Sequence, residues 1–165
     1  MGAGKTIVGR ELATLLNWSF FDLDHEIEVR EELPVREFFQ RYGEARFREV
    51  ETEGLTAVLR AASAPTVIAL GGGTFIQPAN VEMLRRRGAQ VVFLETPIEE
   101  LIERCCLADS PENPRPLAAT PEAFLALYQQ RLPYYRKADF TVNAAGQSVE
   151  QIVQKIVAGL RLRQP

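Results

Sequence analysis

Residues able to bind phosphate groups stand together at the start of the sequence, where two glycines are followed by a lysine and a threonine. The glycines let the backbone turn its N–H groups towards an anion, and the lysine adds a charge to the positive end of a following helix. A threonine hydroxyl directly after the lysine is typical of a Mg²⁺ ligand in such loops. The sequence therefore predicts a phosphate loop at Gly2, Ala3, Gly4, Lys5 and Thr6.

The complete pattern of such a loop is G-x-x-x-x-G-K-[ST], and only its second half is present. With Gly4 as the second glycine, the first glycine would fall two places before Met1. The apolar strand that should lead into the loop is also absent from the sequence. Two explanations stay open: the working protein is longer at its amino terminus, or the chain is a truncated form with poor activity.

Two carboxylates, Asp22 and Asp24, follow a short apolar stretch that begins at Trp18. We predict a buried strand over residues 18–24, in which alternate side chains point to the same side. Ligands of open α/β sheets bind at the carboxyl ends of the strands, so we expect both carboxylates beside the phosphate loop and its Mg²⁺. The alternative interpretation is an ordinary pair of turn carboxylates.

Three consecutive glycines, Gly71, Gly72 and Gly73, follow a second predicted strand over residues 66–70. Glycine leaves the backbone bare, so a ligand can lie directly against it. A flexible turn is the alternative interpretation. A phosphate loop in the same chain favours ligand binding at this strand end.

Helical and strand patterns alternate along the chain. Apolar spacing predicts helices over residues 7–16, 25–42 with a break at Leu33-Pro34, 44–62, 78–88, 97–106, 121–138 with an interruption near Pro133, and 148–163. Two further strands are predicted over residues 90–94 and 139–142. This alternation predicts an α/β fold of three αβα layers around a parallel sheet, with residues 1–165 forming one domain. The proline-rich residues 107–118 predict a mobile lid between two helices.

One pair of opposite charges lies on the predicted helix over residues 44–62. Arg48 and Glu51 are three residues apart and therefore share a helix face. A surface salt bridge is the simplest interpretation, and such a pair stabilises a helix by only about 0.3–0.5 kcal/mol.

The overall composition excludes several classes of function. A net charge of −3 gives no basic surface for nucleic acid, and no apolar run is long enough to span a membrane. Cys105 and Cys106 are the only cysteines, and neighbouring cysteines do not easily bridge, so we expect reduced thiols. No signal peptide precedes the phosphate loop. These points predict a cytoplasmic protein, which we expect to be a monomer without nucleic-acid or membrane partners.

An ordered set of motifs runs from one end of the chain to the other. It comprises GAGKT at 2–6, DLD at 22–24, FRxxE at 47–51, GGG at 71–73, RPL at 115–117 and RxPxY at 131–135. In this set the chain resembles the shikimate kinases, which are small P-loop kinases with the nucleoside-monophosphate-kinase-like fold. The resemblance covers nearly all 165 residues and implies the family's strand order 2-3-1-4-5, with the family's first strand missing here.

The resemblance implies transfer of the γ-phosphate of ATP to the 3-hydroxyl of shikimate, a ring acid with one carboxylate and three hydroxyls. It implies that Arg48 and Arg131 bind the carboxylate, because guanidinium groups match carboxylates in shape and charge. Asp24 would accept hydrogen bonds from the ring hydroxyls and take the proton of the attacking one. Gly71, Gly72 and Gly73 would offer their backbone to the shikimate ring.

For the nucleotide, the resemblance implies that residues 2–7, ending at Ile7, surround the phosphates, with Lys5 on the transferred group. Thr6 would bind Mg²⁺ directly, and Asp22 would bind it through water. ATP and Mg²⁺ are thus the implied cofactors, and shikimate is the implied small-molecule partner.

The resemblance also implies roles outside the loop. Arg115, on the predicted lid, would move over the phosphates and offset the charge that develops during transfer. Arg104 and Gln147 match positions near the adenine. Two alternatives stay open: a non-catalytic remnant that binds shikimate or a nucleotide, and a P-loop kinase for another small hydroxy acid such as gluconate. The FRxxE, GGG and RxPxY motifs favour shikimate over gluconate.

Overall fold

A computed structural model describes residues 2–62, 65–107 and 120–163, and within them helices and strands alternate as predicted. The strands are β1 (Ser19–Asp22), β2 (Thr66–Ala69), β3 (Val92–Glu95) and β4 (Phe140–Asn143). The helices are α1 (Lys5–Leu16), α2 (Leu23–Glu31), α3 (Val35–Ala61), α4 (Pro78–Arg86), α5 (Ile98–Ile102), α6 (Pro121–Tyr135) and α7 (Val149–Gly159). Apart from its first residue, the predicted lid lies outside the described residues, and Arg115 lies outside them with it.

Two apolar clusters cover opposite faces of the strands. Helices α1 and α7 form one cluster, and α2, α3 and α4 form the other. Neighbouring strand residues belong to different clusters: Val67 and Val92 pack against the first, whereas Ile68 and Val91 pack against the second. Because side chains alternate across a strand, this distribution produces the three αβα layers predicted from the sequence.

Both pairs of strands are parallel, as predicted. β1 pairs with β2, with Ser19 opposite Thr66, and β3 pairs with β4, with Val92 opposite Phe140. Within the described ranges β2 and β3 are not hydrogen-bonded to each other, so the strands form two two-stranded sheets. The gap falls where the family's strand order places its first strand.

An apolar cavity of about 550 Å³ lies between the two sheets. Its walls include residues 65–72, which contain β2, and residues 87–94, which contain most of β3. Helix α1 contributes Val8 and Leu12, and α7 contributes Ile156. The facing edges of β2 and β3 therefore border an apolar space.

The predicted strand over residues 18–24 is shorter in the structure, which changes the position of Asp24. β1 ends at Asp22, and Asp24 lies in the first turn of α2. The Asp22 carboxylate accepts a hydrogen bond from the backbone N–H of Asp24 at 3.1 Å and so caps the helix. The prediction that both carboxylates share one side of a strand is wrong, because an aspartate at a strand end also starts a helix well.

Helix α6 continues through Pro133 to Tyr135, so the predicted interruption near this proline is wrong. Pro133 has no backbone N–H, so the helix lacks one i→i−4 hydrogen bond, but one missing bond does not end a helix whose next turn is still bonded. Beyond it, the backbone N–H of Arg136 still donates to the carbonyl of Leu132 at 3.0 Å. The residues on either side of Pro133 therefore belong to one helix.

The two predicted breaks before residue 44 are confirmed. Helix α2 ends at Glu31, and α3 begins at Val35 after the Leu33-Pro34 pair. Within α3, Gly43 has φ 76° and ψ 176°, which is not helical and separates two helical segments. A positive φ of this size favours glycine, so the kink has a local cause in the sequence.

Candidate active site

The phosphate loop turns at two glycines whose backbone angles suit that residue. Gly2 has a φ of 67° and Gly4 a φ of 76°, both in the left-handed region. Helix α1 begins directly afterwards, and the Gly4 carbonyl accepts a hydrogen bond from the backbone N–H of Val8 at 3.0 Å. Since the first N–H groups of a helix have no partner within it, the loop, Lys5 and the helix start together can receive an anion.

A hydroxyl and a carboxylate meet beside this loop. The Thr6 hydroxyl donates a hydrogen bond to Oδ2 of Asp22 at 2.6 Å. The two residues are far apart in sequence and come together because α1 and β1 are adjacent. Hard oxygen donors of this kind suit Mg²⁺, which keeps several waters and binds phosphates alongside one or two protein ligands. Among the described residues no group of three or more His, Cys, Asp or Glu side chains could hold a metal ion.

A second cavity, of about 620 Å³, joins the loop to the residues predicted for the substrate. Predicted residues from five separate segments line it, namely Gly2, Gly4, Lys5, Thr6, Ile7, Asp22, Asp24, Gly71, Gly72, Arg104 and Arg131. The structure thus brings together the phosphate-binding residues, both aspartates, the glycine turn and one of the two predicted arginines. Phe39 and Phe47 add an apolar wall.

Arg48 does not line this cavity itself, but its guanidinium packs against the two rings of the apolar wall. Its guanidinium carbon is 5.9 Å from the ring centre of Phe39 and 5.6 Å from that of Phe47. Its Nη1 donates to Oε2 of Glu51 at 2.8 Å, and its Nη2 donates to Oε1 of Glu44 at 2.8 Å. Burial lowers the pKa of Arg48, but Glu51 and Glu44 more than offset this effect, so the pKa lies above its usual value. The guanidinium is therefore firmly charged.

The Arg48–Glu51 pair is not the surface salt bridge that its spacing indicates. The Glu51 side chain is only 1% exposed and the Arg48 side chain 17%. Helical spacing shows that two residues share a face, but it does not show whether that face points to solvent or to the interior. The prediction of a weak surface pair is therefore wrong.

Glu51 is a site residue whose role the sequence did not reveal. Its Oε1 accepts a hydrogen bond from the hydroxyl of Thr74 at 2.6 Å, and its Oε2 accepts one from Nε2 of Gln77 at 2.8 Å. Thr74 is fully buried, and its carbonyl accepts from Nδ2 of Asn80 at 3.2 Å. One buried carboxylate thus joins Arg48 to the segment that follows the three glycines, and the FRxxE motif is the signal that contains it.

The glycine turn packs so closely against charged side chains that it has no room for larger residues. A Cβ atom at Gly71 would lie 2.7 Å from Oδ1 of Asp24 and 2.7 Å from Oε1 of Glu51. A Cβ atom at Gly73 would collide with the guanidinium of Arg48. The three glycines therefore occupy the point where the predicted aspartate and arginine approach each other, which favours the site interpretation over a flexible turn.

Arg131 enters the site from α6. Its side chain is buried, with a relative exposure of 5%, and it lines the 620 Å³ cavity. A buried guanidinium that lines the same cavity as Asp24 and Lys5 fits the prediction that this residue meets a charged ligand.

The loop also packs against a cysteine. Helix α5 continues into a π-helical turn at Glu103–Leu107, and a Cβ atom at Gly2 would collide with Sγ of Cys105. Cys105 and Arg104 both line the cavity. Arg104 also donates to Oε2 of Glu100 at 2.7 Å. No local pattern in the sequence indicates the contact of Cys105, because this contact depends on the bulged turn.

Gln147 lies elsewhere in the described part of the chain. It follows β4, and its Nε2 donates to the carbonyl of Asn143 at 2.6 Å. It does not line the 620 Å³ cavity. Its predicted place near the adenine stays a prediction, as does the role of Arg115.

Comparison with known proteins identifies the family. The sequence model of the family described as "Shikimate kinase" matches residues 1–161. The chain belongs to the shikimate kinase family. A shikimate kinase of Moorella thermoacetica is 42% identical over 163 residues, which cover 98% of this chain and 90% of that protein. A shikimate kinase of Thiobacillus denitrificans is 44% identical over 166 residues, covering 98% and 87%.

Solved structures agree with the family assignment. A shikimate kinase from Acinetobacter baumannii in complex with shikimate superposes with a TM-score of 0.85 at 34% identity, covering 99% of this chain and 91% of that one. A gluconokinase from Sinorhizobium meliloti superposes with a TM-score of 0.59 at 19% identity and therefore shares the fold alone. The predicted P-loop kinase fold of the shikimate kinase family is thus confirmed.

Proposed function

We propose that this chain transfers the γ-phosphate of ATP to the 3-hydroxyl of shikimate in the cavity that joins the phosphate loop to Asp24 and Arg131. Membership of the shikimate kinase family makes the chain an ATP-dependent phosphotransferase with an alcohol acceptor. The observation that carries the residue roles is the shared cavity, which is lined by Lys5, Asp24, Gly72 and Arg131. Phosphoryl transfer depends mainly on positioning and electrostatics, and one enclosed site can supply both.

Arg48 and Arg131 are proposed to bind the shikimate carboxylate. Both are largely buried, and a buried guanidinium binds a carboxylate through charge-assisted hydrogen bonds. Glu51 supports this role, because it keeps Arg48 charged and fixes its direction. The glycine turn, from Gly71 to Gly73, is proposed to give the ring a bare backbone surface.

Asp24 is proposed to accept hydrogen bonds from the ring hydroxyls and to take the proton of the attacking hydroxyl. Its position in the first turn of α2 places the carboxylate against Gly71, in the same cavity as Lys5. A base must lie within hydrogen-bond reach of the proton that it removes, and the cavity that Asp24 shares with Arg131 supports this role.

The residues present fit a magnesium ion beside the loop. Thr6 is proposed as the direct ligand and Asp22 as a ligand through water, since both supply oxygen and already lie 2.6 Å apart. When bound, Mg²⁺ offsets negative charge on the phosphates. Lys5 is proposed to place its positive charge beside the transferred phosphoryl group. The loop from Gly2 and Ala3 to Ile7 is proposed to surround the phosphates.

Several further roles follow from the resemblance. Arg115 is proposed to cover the phosphates from a lid over residues 107–118, and Gln147 to lie near the adenine.

None of the helices in the described ranges is long and apolar enough to cross a membrane. We propose one domain that acts as a cytoplasmic monomer without nucleic-acid partners, in keeping with its net charge of −3. Light scattering of the purified chain measures the oligomeric state.

The substrate proposal is tested by ADP release from the purified chain with ATP and Mg²⁺. Shikimate should start the release, whereas quinate and gluconate should give less than about a tenth of the rate, because their hydroxyls and carboxylates are spaced differently on a different carbon frame. Equal rates with gluconate would contradict the substrate assignment. A chain that binds shikimate but releases no ADP would support the remnant alternative. Lys5→Ala is the control and should abolish release.

A further inference from the structure

A tyrosine on α6 makes a long-range hydrogen bond to the middle of the glycine turn. The hydroxyl of Tyr135 donates to the carbonyl of Gly72 at 2.6 Å, although the two residues are 63 positions apart. The bond is partly buried, so water competes for it only weakly. This side-chain hydrogen bond links α6 directly to the glycine turn.

The two ends of this bond belong to the two sides of the proposed shikimate site. Gly72 lies between Gly71, which touches Asp24, and Gly73, which touches Arg48. Tyr135 is four residues after Arg131, so the two side chains leave the same face of α6. The hydroxyl of Tyr135 therefore joins the turn that meets Asp24 and Arg48 to the helix that carries the second arginine.

Tyr135 itself stands outside the cavity that is proposed for the substrate. It lines the 550 Å³ cavity between the sheets, whereas Gly72 lines both cavities. The ring of Tyr135 lies on Phe93 of β3, with 5.5 Å between the ring centres. The ring packs on the strand, and the hydroxyl reaches the turn from behind the site.

We propose that Tyr135 is a positioning residue for the acceptor substrate. By binding the Gly72 carbonyl it sets the distance between the glycine turn and α6, and hence the spacing of the groups that hold shikimate. This inference rests on the proposed function. Because the nucleotide phosphates bind at the loop and at the start of α1, loss of the hydroxyl should disturb the acceptor and leave the nucleotide unaffected.

The test compares Tyr135→Phe with the matched variant Tyr134→Phe. The first change removes the hydroxyl but keeps the ring on Phe93. The second removes the hydroxyl of a neighbour that is 42% exposed and whose ring lies 5.1 Å from Nζ of Lys137. For Tyr135→Phe we expect the shikimate KM to rise about three- to tenfold, the size of one lost hydrogen bond, with the ATP KM unchanged. Tyr134→Phe should change neither value.

Two outcomes would overturn the inference: an unchanged shikimate KM in Tyr135→Phe, or equal increases in the KM of shikimate and ATP. A third variant, Phe93→Leu, weakens the ring contact and keeps the hydroxyl. It should retain the shikimate KM even if the melting temperature falls, and a rise as large as that of Tyr135→Phe would assign the effect to packing and reject the inference.

Binding measurements separate this inference from the proposed function. The increase in melting temperature on adding shikimate should be smaller for Tyr135→Phe than for the unaltered chain, and the increase on adding ADP with Mg²⁺ should be equal. If the unaltered chain binds shikimate but releases no ADP, catalysis fails and the positioning role is still tested by these shifts. Equal shikimate shifts in both chains would reject the positioning role, whatever the assay of ADP release shows.

Discussion

The buried charge of Glu51 determines where the guanidinium of Arg48, which is proposed to bind the acceptor, can point. This carboxylate receives bonds from Arg48, Thr74 and Gln77, so it is satisfied on both oxygens. A buried charge is costly unless it is paired and hydrogen-bonded, which makes the geometry around Glu51 specific. Because Glu51 is held in place, the Arg48 guanidinium bonded to it is also ordered, and it lies beside Gly73.

Replacing Glu51 by Gln should therefore affect both stability and acceptor binding. Loss of the negative charge leaves Arg48 with only the exposed Glu44, so we expect the free energy of unfolding to fall by about 2 kcal/mol and the shikimate KM to rise about tenfold. Denaturant unfolding and steady-state kinetics measure the two effects. Glu44→Gln is the matched control at the other partner of Arg48 and should change stability by less than about 0.5 kcal/mol. Equal effects of the two changes would contradict a special role for Glu51.

Replacing Gly73 by Ala should affect both acceptor binding and stability. Gly73 has φ −102° and ψ −14°, which alanine adopts without strain. The added methyl group meets the guanidinium of Arg48, and moving this group aside weakens its bond to the buried Glu51 carboxylate. We expect a shikimate KM at least about tenfold higher with an ATP KM unchanged, since the displaced guanidinium loses a charge-assisted bond. A variant with the original shikimate KM would show that Arg48 does not bind the acceptor from this position.

At the scale of elements, capping residues mark where several helices begin. The final helix α7 starts with a capping box, in which Ser148 Oγ accepts from the backbone N–H of Gln151 at 3.3 Å and the Gln151 side chain accepts from the backbone N–H of Ser148 at 2.9 Å. The apolar side of this helix packs into the cluster that also holds α1. The cap therefore stabilises the layer behind the phosphate loop.

Ser148→Ala should cost about 1 kcal/mol of folding free energy, because one helix-start N–H loses its acceptor. Thermal unfolding measures this loss. Because the cap lies outside the 620 Å³ cavity, the KM values for ATP and shikimate should stay unchanged. The expectation fails if the variant melts at the original temperature or if its KM values change.

The elements that the sequence predicted well are those with a local cause. The Leu33-Pro34 break, the Gly43 kink and the Ser148 cap each follow from one or two residues. The end of β1 was misplaced because Asp22 both ends a strand and caps a helix, and no local pattern decides between the two. The break predicted at Pro133 is wrong because one missing N–H does not end a helix whose next turn is still hydrogen-bonded.

Site residues also divide into those that a local motif predicts and those that depend on contacts between distant segments. Motifs predicted the loop, the glycine turn and the residues that line one cavity with them. The burial of Glu51, the Tyr135–Gly72 bond and the contact of Gly2 with Cys105 depend on which segments the fold brings together. Spacing along a chain contains no information on such contacts between distant segments.

At the scale of the whole molecule, two parallel sheets share one core across a cavity of about 550 Å³. The cluster of α1 and α7 includes Leu94 of β3 and Val142 of β4, and Val67 of β2 packs against it. Apolar side chains thus connect the sheets, while backbone groups on the facing edges of β2 and β3 have no ladder between them in the described ranges. A strand in this space would complete one sheet.

Extending the chain before Gly2 by an apolar segment of about five residues should stabilise the fold. Each new backbone hydrogen bond contributes about 1 kcal/mol net, and the segment also buries apolar surface. We expect a higher melting temperature and faster shikimate-dependent ADP release, because the strand would support the phosphate loop. A Gly/Ser extension of equal length is the control. If both extended chains melt at the same temperature, the cavity is not a strand site.

The central claim is that two guanidinium groups hold the carboxylate of the acceptor beside the phosphate loop. The most direct measurement compares kcat/KM for shikimate and for its methyl ester, in the unaltered chain and in Arg131→Met. We predict that the unaltered chain prefers shikimate by about a hundredfold, the size of one or two charge-assisted hydrogen bonds, and that Arg131→Met loses most of this preference. Equal kcat/KM for the acid and the ester in the unaltered chain would contradict the account.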